Sequence, residues 1–126
     1  MPRSCNRATG VIGEGIAERH LIARGYDVVG RNYRTRYGEL DLIARDARCL
    51  VFCEVKTRLR PGRAGPERPL DAIGGRKRQQ IRLMAGQWLQ ERGGLGAPTL
   101  RFDAIGITLG ADGAVTKLEH VEDAFA

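Results

Sequence analysis

Cysteine is scarce in this chain, with three in 126 residues, at positions 5, 49 and 53. An odd number so placed excludes a disulfide framework, and the spacing suits no structural zinc site. Cys49 and Cys53 would stand roughly 13 Å apart along one strand, too far to bridge, so both read as small hydrophobes facing a core. Long hydrophobic runs are also missing. No stretch approaches the ~20 apolar residues that span a bilayer, and the N-terminal segment, with Arg3, Arg7, Glu14 and Glu18, lacks a signal core. These absences predict a cytoplasmic protein with no membrane association. Internal repeats, low-complexity tracts and a helix-turn-helix or other base-reading motif are absent too.

Lysine is rare where arginine is not: three Lys stand against eighteen Arg. The net charge is +6 and the pI about 9.8. Arg presents a planar fork of donors suited to phosphate, so a basic, Arg-rich chain favours a polyanionic partner such as nucleic acid. A GC-rich genome would produce the same bias by composition alone. With 42% apolar and 29% charged residues the chain suits one ordinary globular domain.

Charges set into apolar strands are the most informative feature. Gly38 to Ala44 (GELDLIA) and Leu50 to Thr57 (LVFCEVKT) read as the two strands of a hairpin. Their apolar flanks, Leu42, Ile43, Val51, Phe52 and Val55, predict strands covered on both sides, where an unpaired Asp41, Glu54 or Lys56 would be costly. A four-residue loop at 46–49 puts Asp41 opposite Glu54, whereas a two-residue loop at Asp46-Ala47 puts it opposite Phe52. Either register leaves Asp41, Glu54 and Lys56 on one face, with opposed carboxylates close enough to share a hard divalent cation. The plainer alternative is a salt-bridged trio on a solvated face.

The remaining elements follow from periodicity. Thr9 to Arg24 predicts an amphipathic helix carrying Ile12, Ile16, Ala17 and Leu21 and stopped by Gly25, and Tyr26 to Tyr33 predicts a first strand. The Pro, Gly and Arg-rich span from Arg58 to Pro69 predicts an exposed, mobile loop. From Asp71 the pattern turns helical, with Ile73, Lys77, Ile81, Met84, Ala85, Trp88 and Leu89 on one face and Gly93-Gly94 at the end. Leu100 to Leu109 and Val115 to His120 predict two further strands. The ordered core is expected over residues 9–120 of a single domain, 1–126.

Several stretches together carry a resemblance: Gly13-Glu14 with Ala17, His20-Leu21 and Gly25-Tyr26; Arg31-Asn32-Tyr33; Gly38 to Ile43; Val51 to Arg58; Lys77 with Ile81, Ala85 and Trp88-Leu89; and Arg101-Phe102-Asp103. On these the chain resembles the YraN-like proteins, a family of small bacterial proteins of unestablished function placed by similarity in the restriction-endonuclease-like (PD-(D/E)XK) nuclease superfamily. The resemblance covers nearly the whole chain. It implies an α/β fold with a restriction-endonuclease-like core, a mixed central sheet of about four to five strands flanked by helices in the order α-β-β-β-α-β-β. Carried over residue by residue, it makes Asp41 and Glu54 metal ligands and Lys56 the residue that positions or activates water. Similarity to archaeal Holliday junction resolvases, whose helical Glu lies eleven residues before the Gly closing the first helix, adds Glu14 as catalytic residue and ligand. Glu18, one turn on, is its rival. The superfamily's Pro-Asp is here Leu40-Asp41. Glu39 shares the acidic face or pairs with Arg36 or Arg45.

The expected function is metal-dependent hydrolysis of a phosphodiester, in DNA ahead of RNA, with Mg²⁺ or Mn²⁺ as cofactor. Arg34, Arg36, Arg58, Arg60, Lys77 and Arg78 are the expected nucleic-acid contacts, Tyr33, Tyr37 and Trp88 are candidates for stacking on bases, and Trp88 fits a core position better. Junction-resolving relatives work as dimers, which admits a homodimer. The alternative is a binding module that holds nucleic acid on a nuclease fold without cutting it.

Overall fold

The computed structural model describes residues 2–59, 75–93 and 99–124. The order is helix α1 (Pro2–Ala23), strands β1 (Asp27–Thr35), β2 (Gly38–Arg45) and β3 (Cys49–Leu59), helix α2 (Gly75–Arg92), then β4 (Thr99–Leu109) and β5 (Val115–Val121). This is the α-β-β-β-α-β-β order of the sequence reading. Helix α1 starts seven residues earlier than its apolar stripe, at Pro2. Strand β3 runs through Arg58 to Leu59, and the rest of the Pro, Gly and Arg-rich span lies outside the described residues.

Sequence order is also spatial order. The five strands form one sheet, β1-β2-β3-β4-β5, in which only β3 and β4 run parallel. A parallel pair needs a crossover, and α2 lies between its two strands in the chain. Its consequence is burial of β3 on both faces: every residue from Cys49 to Val55 is buried. One core, under α1, joins Ala17, Leu21, Leu42, Ala44, Val51, Cys53, Val55 and Ile105. The other, under α2, joins Leu40, Ile43, Leu50, Phe52, Ile81, Met84 and Trp88. Trp88 meets Phe52 edge to face at 5.9 Å and is 2% exposed, so it is core. Cys49 and Cys53 are buried free thiols, as expected.

Turn chemistry sets the register. The Asp46 carboxylate accepts from the Arg48 and Cys49 amides at 2.8 and 2.9 Å, and the Asp46 amide donates to the Cys49 carbonyl at 3.0 Å. That closes residues 46–49 as the loop between Arg45 and Leu50, which pair across it, and selects the four-residue alternative. Helix α1 ends at Gly25, whose φ of 94° suits a residue without Cβ, and the Tyr26 amide caps the Leu21 carbonyl.

Strict alternation fails within β2. Leu40 and Leu42 are two apart in β2 and should share a face, yet they lie in opposite cores. Across from this step, Asn32 of β1 adopts φ 48°, unusual for a residue with a side chain, while Arg31 and Tyr33 keep their pairings with Leu42 and Leu40. The face reversal is centred on Asp41.

Candidate metal centre

The ladder between β2 and β3 ends at Leu42 and Cys53, so Asp41 and Glu54 come next in register where the two strands part. The Val55 amide, free of β2, donates instead to Asp41 Oδ2 at 2.7 Å. Both carboxylates are buried, Asp41 at 7% exposure and Glu54 at 3%. On the other side β3 stays paired with β4, with Ala104 beside Glu54 and Gly106 beside Lys56, so the neighbouring positions carry little or no side chain.

Helix α1 brings a third acid. At Gly13 it passes so close to β3 that an added Cβ would overlap the Thr57 hydroxyl, so this contact requires glycine. The next residue is Glu14. Glu14, Glu39 and Asp41 each bring a carboxylate oxygen to within 4.8 Å of the others. The Asn32 amide, placed by its unusual backbone, donates to Glu14 at 2.9 Å. Glu18 instead accepts from Arg31 at 2.8 Å and stands outside that trio. Glu39 pairs with Arg34 at 2.8 Å, and neither Arg36 nor Arg45 takes that role.

Burial raises the Asp41 carboxyl to about 9, helped by a hydrogen bond to Glu54 and then by the charge of Glu54, while the Val55 amide opposes them. Glu54 takes its counter-charge from Lys77 of α2, at 2.9 Å from Oε2, and not from Lys56. That approach lies outside hydrogen-bonding geometry, so the buried Oε2 has no directed donor among the described residues. Oxygen donors only, with Asp41 and Glu54 both buried and Glu14 and Glu39 close to Asp41, fit a hard divalent cation. Asp41, Glu54 and Glu14 are the residues that would hold it, with Glu39 alongside.

The basic residues divide. Arg34, Arg36 and Arg78 are exposed, Arg36 lying over the Tyr37 ring at 5.0 Å, whereas Lys56 and Arg58 are half-buried. Lys77 is drawn to Glu54, and Arg60 lies outside the described residues.

A second polar cluster escaped the sequence reading. Asp103 is 0% exposed and accepts from Arg101 at 2.9 Å through two nitrogens, from His120 Nε2 at 2.8 Å and from the Asp123 amide at 3.0 Å. His120 Nδ1 lies 3.0 Å from His20 Nε2, and Arg101 donates to the Tyr26 hydroxyl at 2.7 Å. The signal available was Arg101-x-Asp103, opposite charges two apart in an apolar strand. With its carboxylate oxygens occupied, Asp103 ties α1, β4 and β5 together and offers little to a metal, although Asp103, His120 and Glu122 lie close enough for one.

Comparison with known proteins places this architecture. The chain is 43% identical over 120 residues to a UPF0102 protein of Rhodococcus jostii (strain RHA1), covering 95% of this chain and 98% of that one. It is 44% identical over 123 residues to a UPF0102 protein of Geotalea uraniireducens (strain Rf4), covering 98% and 93%, and 45% identical over 121 residues to one of Frankia alni (strain DSM 45986 / CECT 9034 / ACN14a), covering 94% of each. Residues 13–107, from the glycine under Thr57 to Ile107 of β4, match the family model "Uncharacterised protein family UPF0102". The chain therefore belongs to the uncharacterised protein family UPF0102, the YraN-like proteins.

Proposed function

We propose that this protein is a metal-dependent nuclease that hydrolyses phosphodiester bonds in DNA, with structure-selective action on branched or junction DNA. The observation that carries the reading is the meeting of acids at Asp41: Glu14 of the helix and Glu39 bring carboxylate oxygens within 4.8 Å of it and of each other, and buried Glu54 acts on it from the next strand. The arrangement agrees with the resemblance to the restriction-endonuclease-like superfamily, where a carboxylate on strand two precedes acid-x-Lys on strand three. Glu54-Val55-Lys56 is that sequence here.

A phosphodiester resists hydrolysis because its negative charge repels the nucleophile and more charge develops in the transition state. A bound Mg²⁺ or Mn²⁺ supplies Lewis-acid stabilisation of that charge. The chain's own residues do the rest. Asp41, Glu54 and Glu14 would offer the cation an oxygen-only ligand set, binding it in their deprotonated forms. Lys56, two residues on from Glu54 and half-buried, places its amine at the same end of β3, where it positions the attacking water. Exposed Arg34, Arg36 and Arg78 supply sequence-independent phosphate contacts.

The test is cleavage of labelled single-stranded, duplex, flap and four-way-junction DNA with Mg²⁺ or Mn²⁺. Wild type is expected to cut at least one of these, and Asp41→Ala and Lys56→Ala to lose roughly 10²-fold or more in rate. Tight, salt-sensitive binding without cutting, equal in wild type and both variants, would replace the nuclease by a binding module.

A further inference from the structure

Lys77 makes an ion pair with buried Glu54 that the nuclease motif does not require. Its side chain is 29% exposed, against 4% for that of Glu54, and its nitrogen sits 2.9 Å from Oε2 without meeting hydrogen-bond geometry. The pair is lopsided: Glu54 is sealed into the core, whereas Lys77 reaches it from the surface and can leave without opening the core.

The helix does not explain the lysine either. Lys77 is the third residue of α2, in a first turn with no acid, where the positive end of the helix dipole disfavours a cation. Its placement is therefore held from outside the helix, by Glu54. Elsewhere in the cluster the negative charge is met differently: Arg34 attends Glu39, the Asn32 amide attends Glu14, and the Val55 amide attends Asp41. Glu54 is the acid that α2 attends.

Resting on the metal-centre reading above, we infer that the Lys77 ammonium is an internal counter-ion, which occupies Glu54 in the metal-free protein and is displaced when a divalent cation enters. One positive charge at ion-pair distance is exchanged for two at coordination distance, and the more exposed partner is the one that leaves. Lys77 thus competes with loading, so the site takes up metal less readily than its carboxylates alone would allow.

The probe is Mn²⁺ alone, added to the full chain, with binding followed by calorimetry and lysine acylation by mass spectrometry, using Lys117 on exposed β5 as reference. Mn²⁺ is expected to raise acylation of Lys77 several-fold relative to Lys117, and Lys77→Met to bind Mn²⁺ roughly tenfold more tightly than wild type. In Glu54→Gln, Lys77 should be readily acylated with or without metal. Mn²⁺ binding by wild type with unchanged Lys77 acylation, and no tighter binding by Lys77→Met, overturns the counter-ion and leaves the metal centre standing. Absence of Mn²⁺ binding in both wild type and Lys77→Met overturns the two together. The acylation measurement needs no variant, so a Lys77→Met protein that folded poorly would not spare the inference.

Discussion

Four hydrogen bonds converge on the Asp103 carboxylate, and they decide how this protein responds to acid. Burial pushes the Asp103 carboxyl up, but donation from His120, Arg101 and the Asp123 amide outweighs it, and the group is held below the usual carboxylate range. His20, at the far end of the chain of bonds, is also lowered, first by burial and then by the charges of His120 and Arg24. Both shifts have one sign. In each case the unfolded chain binds protons more readily than the folded one, so the stabilisation is present above the unfolded value and lost as pH falls through the folded one. The contributions of these two groups are therefore expected to fade in two stages on acidification, that of His20 below about 6.5 and that of Asp103 below about 4, against an opposite contribution from Asp41, whose raised carboxyl favours the folded state as pH falls. Urea unfolding in the presence of a chelator, from pH 7.5 to 2, measures both stages. His20→Gln should flatten the first and leave the second, and an unchanged profile in that variant would remove His20 from the account.

At the scale of elements, the decisive contact is the crossing of α1 over β3. Gly13 has no room for a methyl group beside Thr57, so Gly13→Ala must push the helix off the strand. The expected cost is about 1 to 3 kcal/mol by thermal unfolding. Because Glu14 follows directly, the same variant should also bind Mn²⁺ more weakly, which a purely local packing defect would not produce. The elements themselves were legible: alternation and β-branched residues marked the strands, Gly25 and Gly93 marked helix ends, and both stand at positive φ. The pairing of β2 with β3 was legible as two alternatives, and Asp46 chooses between them through two backbone hydrogen bonds. The face reversal at Asp41 was not legible. Period-two counting assumes a regular pleat, and Asn32 in the facing strand departs from it.

For the whole molecule, the net charge of +6 is a statement about long-range attraction to polyanions. Affinity for duplex DNA should fall linearly on a log–log plot against salt, and replacing both Arg36 and Arg78 with Gln should reduce the slope by about 2 while leaving Mn²⁺ binding intact. Equal slopes in wild type and variant would move the phosphate contacts elsewhere on the surface. No described helix is long and apolar enough to cross a membrane, in line with the scarcity of apolar runs in the sequence. Element order, the covered β3, the buried cysteines and the acid-x-Lys strand were all determined by the sequence alone, because each depends on neighbours a few residues apart, where propensity and periodicity act. Only the tertiary structure decided that Glu14 and not Glu18 joins Asp41, that Glu54 is met by Lys77 and not Lys56, and that His20 reaches His120, one hundred residues away. Those pairings depend on how two helices settle on opposite faces of a twisted sheet, through packing contacts such as Gly13 on Thr57 that no local pattern encodes.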